Sequence, residues 1–296
     1  MRIAEKVVYP LAANGGRMNS IATDYRESTR SPLPYLRAVA ETGFSHVHWC
    51  HQWNTDFLYS APEVAQIQDW LDELDLGVTD IHASAGREKG WVSEREYERL
   101  AGVELVANRM EMAADLACDV IVLHIPAEPE GEEAWRAFRD LLRRSLDALQ
   151  QESGATGVRI AFENLGESAS WLPIAGALSD YPSDFVGLCY DSGHGNISGD
   201  GLDQLAAHSD RLIALHLHDN DGSGDQHTLP FTGTVDWQRL AELIAQSSYR
   251  KWANLEVSQS ASGYEDEDAF LREALSIARR LDDQIARARA PHTKEQ

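Results

Sequence analysis

Basic residues are scarce in this chain. Its 296 residues include 26 Lys and Arg against 48 Asp and Glu, a formal net charge of −22. Such a chain repels phosphate backbones and anionic bilayers, so binding to nucleic acid or to a membrane surface would need a local basic run, and none is present. Cysteine is scarcer still: Cys50, Cys118 and Cys189 are an odd number without paired spacing, which excludes a disulfide framework and a cysteine zinc site and fits a reducing cytoplasm. No segment approaches the eighteen apolar residues of a membrane span, and the opening "MRIAEKVVYPLAANGG" is interrupted by Glu5 and Lys6, so neither leader nor anchor is expected. Glycine-rich phosphate loops of the Gly-x-Gly-x-x-Gly or Walker type are missing too, which argues against an open nucleotide-binding sheet.

What is present is a regular alternation. Short apolar runs, "EKVVYPLA", "SHVHWC", "LGVTDIHA", "CDVIVLHI", "VRIAFENL", "DFVGLCYD", "LIALHLHD" and "WANLEV", read as eight strands. Between them, Val103, Val106, Ala107, Met110, Ala113, Ala114 and Ala117 follow one helix face. So do Trp135, Phe138, Leu142, Leu146 and Leu149, and later Phe270, Leu271, Ala274, Leu275, Ala278 and Leu281. Eight strand–helix units in one chain of this length predict a single α/β domain, a closed (β/α)8 TIM barrel over residues 1–288, with 289–296 as a loose tail. No linker or shift of composition marks a second domain.

Barrel chemistry sits at the C-terminal ends of the strands. Six consecutive strands end there on an acid or an imidazole: His82, His124, Glu163, Asp191 with His194 three residues on, His216, and Glu256. Carboxylates buried among apolar strands need a cation or dense hydrogen bonding to compensate them, and a divalent ion is the expected resident. Glu163, Asp191, His216 and Glu256 form an oxygen-rich set with one imidazole, suited to Mn²⁺, Co²⁺ or Mg²⁺ and tolerant of Zn²⁺. Strand alternation places His216 and His218 on one face and does not choose between them. "HVHWCHQW", with His46, His48 and His51, reads as a strand with aromatic packing. The loop "ASAGREKGW" could close over a substrate through Arg87, Lys89 and Trp91.

The motifs "FENL", "DSGH", "LHLHDND" followed by "DQH", and "LEV" together resemble the xylose isomerase-like barrel superfamily, along nearly the whole chain. That superfamily holds sugar and sugar-phosphate isomerases and epimerases, inosose dehydratase and endonuclease IV. The resemblance implies one divalent ion on Glu163, Asp191, His216 and Glu256, with Glu163 and Glu256 as paired acid and base and His194 on the substrate. It makes His218 a neighbour of the ligands rather than a ligand. In endonuclease IV the positions matching His82, His124, Asp225 and His227 join the set to hold three zinc ions; in sugar-acting members they serve as substrate or supporting groups. Two positions depart from the ketose 3-epimerases: Ala169 stands where those enzymes carry an acid, and no Arg follows His216 closely.

The expected activity is isomerisation or epimerisation of a sugar or sugar-like hydroxy-ketone, through an enediolate whose charge a metal stabilises. The alternatives are an inosose-type dehydratase or lyase, an endonuclease IV-like trinuclear zinc phosphodiesterase, and a barrel that only binds sugars. A small carbohydrate is the expected partner, without nucleic acid or membrane, and self-association is left open.

Overall fold

A computed structural model describes residues 18–23, 31–126 and 129–290. Eight parallel strands run in the order β7-β6-β5-β4-β3-β2-β1-β8. They are β1 (Ser20–Ala22), β2 (His46–Trp49), β3 (Gly77–His82), β4 (Val120–Leu123), β5 (Arg159–Glu163), β6 (Val186–Asp191), β7 (Leu212–His216) and β8 (Asn254–Leu255). The ring closes between β7 and β8 through one parallel bridge, Leu217 to Leu255. There Leu217 N donates to Asn254 O at 3.0 Å and Glu256 N donates to Leu217 O at 3.1 Å. The fold is therefore the expected TIM barrel. Seven of the eight expected strands coincide with observed ones, whereas "EKVVYPLA" lies outside the described residues and the first barrel strand is Ser20–Ala22.

Helices cover the ring from outside: α1 (Leu33–Thr42), α2 (Ala61–Glu73), α3 (Glu96–Asp115), α4 (Glu132–Thr156), α5 (Trp171–Asp180), α6 (Ser192–Ser198), α7 (Gly201–His208), α8 (Trp237–Gln246) and α9 (Glu267–Arg289). On α4, Phe138, Leu142, Leu146 and Leu149 are buried at the expected spacing, and on α9 all six expected apolar residues are buried. On α3, Val106, Met110 and Ala113 are buried while Ala114 is exposed and Ala117 lies beyond the helix, because Leu105 and Met112 turn the buried face. The last helix, α9, runs through Arg289, whose guanidinium donates to Tyr249 O at 2.8 Å.

Inside the ring, strand alternation sends every second side chain inward. On one side Val120, Val122, Ala161, Cys189 and Ala214 form a small apolar cluster. On the other side the filling is polar, with His48, Asp80 and Asn254 fully buried. Two register shifts interrupt the parallel ladders. Val47 pairs Val78 but His48 pairs Asp80, and Leu188 pairs Leu212 but Cys189 pairs Ala214. Each shift leaves one residue of a strand, Thr79 or Ile213, without an opposite number, and so re-aims everything above it.

Candidate active site

The second shift places Asp191 directly opposite His216 at the strand ends. With Glu163 closing β5 and Glu256 following β8, donor atoms of Glu163, Asp191, His216 and Glu256 all lie within 4.8 Å of one another, every residue buried. His216 Nδ1 stands 3.0 Å from Glu256 Oε2 and 3.3 Å from Glu163 Oε2. Yet neither ring nitrogen of His216 has a hydrogen-bond partner. Donors this close but misaligned are aimed at a shared point between them rather than at each other. A buried imidazole without partners among three carboxylates fits a divalent cation.

Neighbouring groups hold these four side chains in place. Asn164 clamps Asp191, its amide nitrogen donating to Asp191 O at 3.0 Å and its oxygen accepting from Asp191 N at 2.9 Å. Asp191 is also the N-cap of α6, accepting from His194 N at 2.6 Å. His218, after the strand, reaches Asp191 Oδ2 with Nε2 at 3.0 Å and so supports a ligand. Gly193 leaves room for it: a Cβ there would lie 2.0 Å from His218 Cε1. The short "SGH" segment therefore needs its glycine for close approach.

Three further imidazoles share one arrangement. His82 Nδ1 donates to Ala83 O at 3.0 Å, His194 Nδ1 to Asn164 O at 2.9 Å, and His227 Nδ1 to Glu256 O at 2.9 Å. A carbonyl only accepts, so each Nδ1 carries a proton and each Nε2 is turned to the cavity. His124 Nε2 meets Glu163 Oε2 at 3.1 Å. Asp225 gathers the other side, 3.0 Å from His227 Nε2 and 3.4 Å from His194 Nε2. His227 takes a left-handed backbone, φ 50°, a conformation a non-glycine residue holds only when its surroundings impose it.

The electrostatics follow from this crowding. Burial alone would raise the Glu163 carboxyl, but His216 and His124 outweigh it and hold it well below its ordinary value. Glu256 is likewise lowered against its burial by His216. His82, desolvated and beside His124, falls to about 3. For His227 the carboxylate of Asp225 overcomes desolvation and lifts the imidazole to about 9. These paired imidazoles and carboxylates are what the protein itself supplies to offset the buried charge.

All ten sequence-derived site residues are thus brought to one rim. The cavity there has a volume of about 360 Å³ and is lined by Trp53, His82, His124, Glu163, Leu165, His194, Asp225, His227 and Glu256. Sequence reading missed Trp53, whose ring centroid lies 4.9 Å from that of His82 and 5.9 Å from that of His124. The "HVHWC" strand reads from sequence as packing, although the His48 ring lies 4.4 Å from that of His216; its place depends on the β2–β3 register. Asp219 is turned away from the cavity. Its carboxylate accepts from Trp237 Nε1 at 2.8 Å and Val235 N at 3.1 Å and so ties down the loop before α8. Trp91 is fully buried, stacked on Phe162 and bonded to His124 O, so it belongs to the core rather than to a lid.

The chain is similar to several known proteins. The chain is 32% identical over 290 residues to the uncharacterized protein y4fM of Sinorhizobium fredii, spanning 90% of this chain and 92% of that one. It is 25% identical over 228 residues to L-ribulose-5-phosphate 3-epimerase UlaE of Shigella flexneri, spanning 73% and 78% respectively. Among solved structures, a D-tagatose 3-epimerase-like protein superposes with a TM-score of 0.73 at 19% identity, covering 92% of this chain and 100% of the other. The xylose isomerase-like TIM barrel family matches residues 36–274. With the strand order, the acid- and imidazole-bearing strand ends and this match in agreement, the chain belongs to the xylose isomerase-like TIM barrel family.

Proposed function

We propose that the chain is a divalent-metal-dependent isomerase or epimerase of a neutral sugar or sugar-like hydroxy-ketone, with Glu163 and Glu256 as its acid and base. The observation that carries this reading is the pair of buried glutamates meeting at one imidazole nitrogen, 3.3 and 3.0 Å away, on the floor of a sugar-sized cavity. An ion held by Glu163, Asp191, His216 and Glu256 would act as a Lewis acid, polarising the substrate carbonyl and weakening the adjacent C–H bond. Glu163 and Glu256 arrive from strands separated around the ring. One carboxylate takes the proton as the C–H bond breaks, and the same or the other group returns it; return to the opposite face inverts the carbon.

The remaining lining residues suit a polyol. His194 and His227 turn Nε2 toward Asp225, whose carboxylate remains partly accessible at the mouth and can accept from a substrate hydroxyl. Trp53 offers an aromatic face to the C–H side of a sugar. Among the described residues no Lys or Arg lines this cavity, and its carboxylates repel a phosphate group. This favours an unphosphorylated substrate, and it argues equally against the endonuclease reading, although His82, His124, Asp225 and His227 do converge as a trinuclear site would need. A dehydratase shares the proton abstraction and differs in the bond broken next.

The test is incubation of the Mn²⁺- or Co²⁺-loaded protein with a panel of free keto-sugars and their phosphates in D₂O. Deuterium at the carbon beside the carbonyl, with an epimer or isomer as product, is the expected result for a free sugar. A metal-loaded Glu256→Gln variant should retain the ion and lose about 10²- to 10⁴-fold in rate. Loss of water from the substrate would replace the epimerase reading by the dehydratase one, and cutting of abasic duplex would replace it by the nuclease. Full activity in the presence of chelator would overturn the metal-dependent reading altogether.

A further inference from the structure

Beneath the ligand set lies a second layer of charge that the proposed chemistry does not use. Asp80 is 1% exposed inside the barrel, where an uncompensated carboxylate would be prohibitive. Three groups face it. His48 Nδ1 bonds its Oδ1, Asn254 Nδ2 donates to its Oδ2 at 3.3 Å, and His216 Nε2 stands 3.9 Å from Oδ1. His48 in turn directs Nε2 at Glu256 Oε1, 3.9 Å away, and its ring centroid lies 4.4 Å from that of His216.

This layer depends on backbone register. Had the β2–β3 ladder continued in step from Val47 and Val78, His48 would face Thr79; the shift brings Asp80 opposite instead. Bulges beside active sites characteristically re-aim a side chain in this way. The buried thiol of Cys189 also neighbours His216, but sulfur is only a weak acceptor for an N–H.

We infer that Asp80 is a positioning residue, which, supported by His48, orients the His216 ring so that Nε2 carries the proton and Nδ1 is left bare for the metal. The physical reason is general: an imidazole ligand binds through one nitrogen when a carboxylate holds the N–H of the other, and losing that partner weakens metal binding by about 10- to 100-fold. What is particular to this chain is the path, a carboxylate on β3 standing 3.9 Å from Nε2 of a residue on β7 across the barrel interior, the nearest acceptor for that N–H once Nδ1 takes the ion. His48, bonded to Asp80 and 3.9 Å from Glu256 Oε1, stands between that buried anion and a second of the four donors.

The inference rests on the metal site proposed above, and its test needs zinc binding alone, without turnover. Zinc dissociation constants would be measured by competition with a chelating dye for the parent, Asp80→Asn and His48→Gln. The expected result is tighter binding by the parent, about 10- to 100-fold over Asp80→Asn, with His48→Gln intermediate. Proton–nitrogen correlation spectra of the zinc-loaded parent supply a readout that a merely structural role would not move, and that does not depend on a variant folding. They should show His216 Nδ1 metal-bound and Nε2 protonated. Metal on Nε2 would overturn the inference, as would parental affinity in a folded Asp80→Asn variant. A parent that binds no zinc, manganese or cobalt would overturn the site itself, whereas unchanged affinity in the variant sinks only the role of Asp80.

Discussion

Single side chains at this site are constrained from several directions at once, and Gly193 illustrates the consequence. Because a Cβ there would meet His218 at 2.0 Å, Gly193→Ala must displace an imidazole that holds Asp191. The expected outcome is a folded protein whose affinity for Mn²⁺ falls about 10-fold, since a support is lost while every ligand remains; calorimetric titration checks it, and unchanged affinity would show that His218 contributes nothing. His46 makes a separate prediction, about stability. Burial and the nearby Lys251 lower its imidazole from 6.5 to about 4. Between those values the unfolded chain binds a proton that the folded chain refuses, so stability is present above pH 6.5 and falls as pH drops towards 4. That contribution is about 2 kcal/mol, the shift being worth about 1.4 kcal/mol per unit and the ring being only partly buried. In His46→Phe, urea midpoints at pH 7 and pH 4.5 should differ less than in the parent, and an identical difference would refute the assignment.

Elements were legible in the sequence to the extent that they repeat. The apolar stripes of α4 and α9 and seven strands have a period long enough to read, and strand ends carrying an acid or imidazole announced Glu163, Asp191, His216 and Glu256. β1 was not legible because its three residues, Ser20–Ala22, are too few to show alternation. The role of His48 was hidden for a different reason: it depends on the one-residue shift between β2 and β3, and nothing in the residue pattern states a register. Trp53 lies in a turn after β2, where no periodicity points at a cavity. Local signals hold where the contact is local. Ser60 and Glu63 form a capping box at the start of α2, Ser60 N donating to Glu63 Oε2 at 2.8 Å. Ser60→Ala should cost about 1 kcal/mol in chemical denaturation and leave metal binding untouched. A coupled loss of both would show that α2 communicates with the site.

For the whole molecule, the notable fact is where the ring is thinnest. Seven of the eight strand junctions are ladders between named strands, while β7 and β8 meet through the single bridge of Leu217 and Leu255. The residue before Leu217 is His216 and the residue after Leu255 is Glu256, so two of the four donors stand on either side of that junction. An ion bound there, as proposed, would behave like the last rivet in a hoop of staves, joining the two edges that the backbone joins least. Catalytic competence and mechanical closure of the wall would then become one event, and a chain stripped of metal should breathe at this seam before it melts anywhere else. In hydrogen exchange the amides of Leu217 and Glu256 are expected to lose protection on chelation, while those of β4 and β5 keep theirs. Uniform loss across all strands would mean that the barrel opens as a single body, with no seam at all.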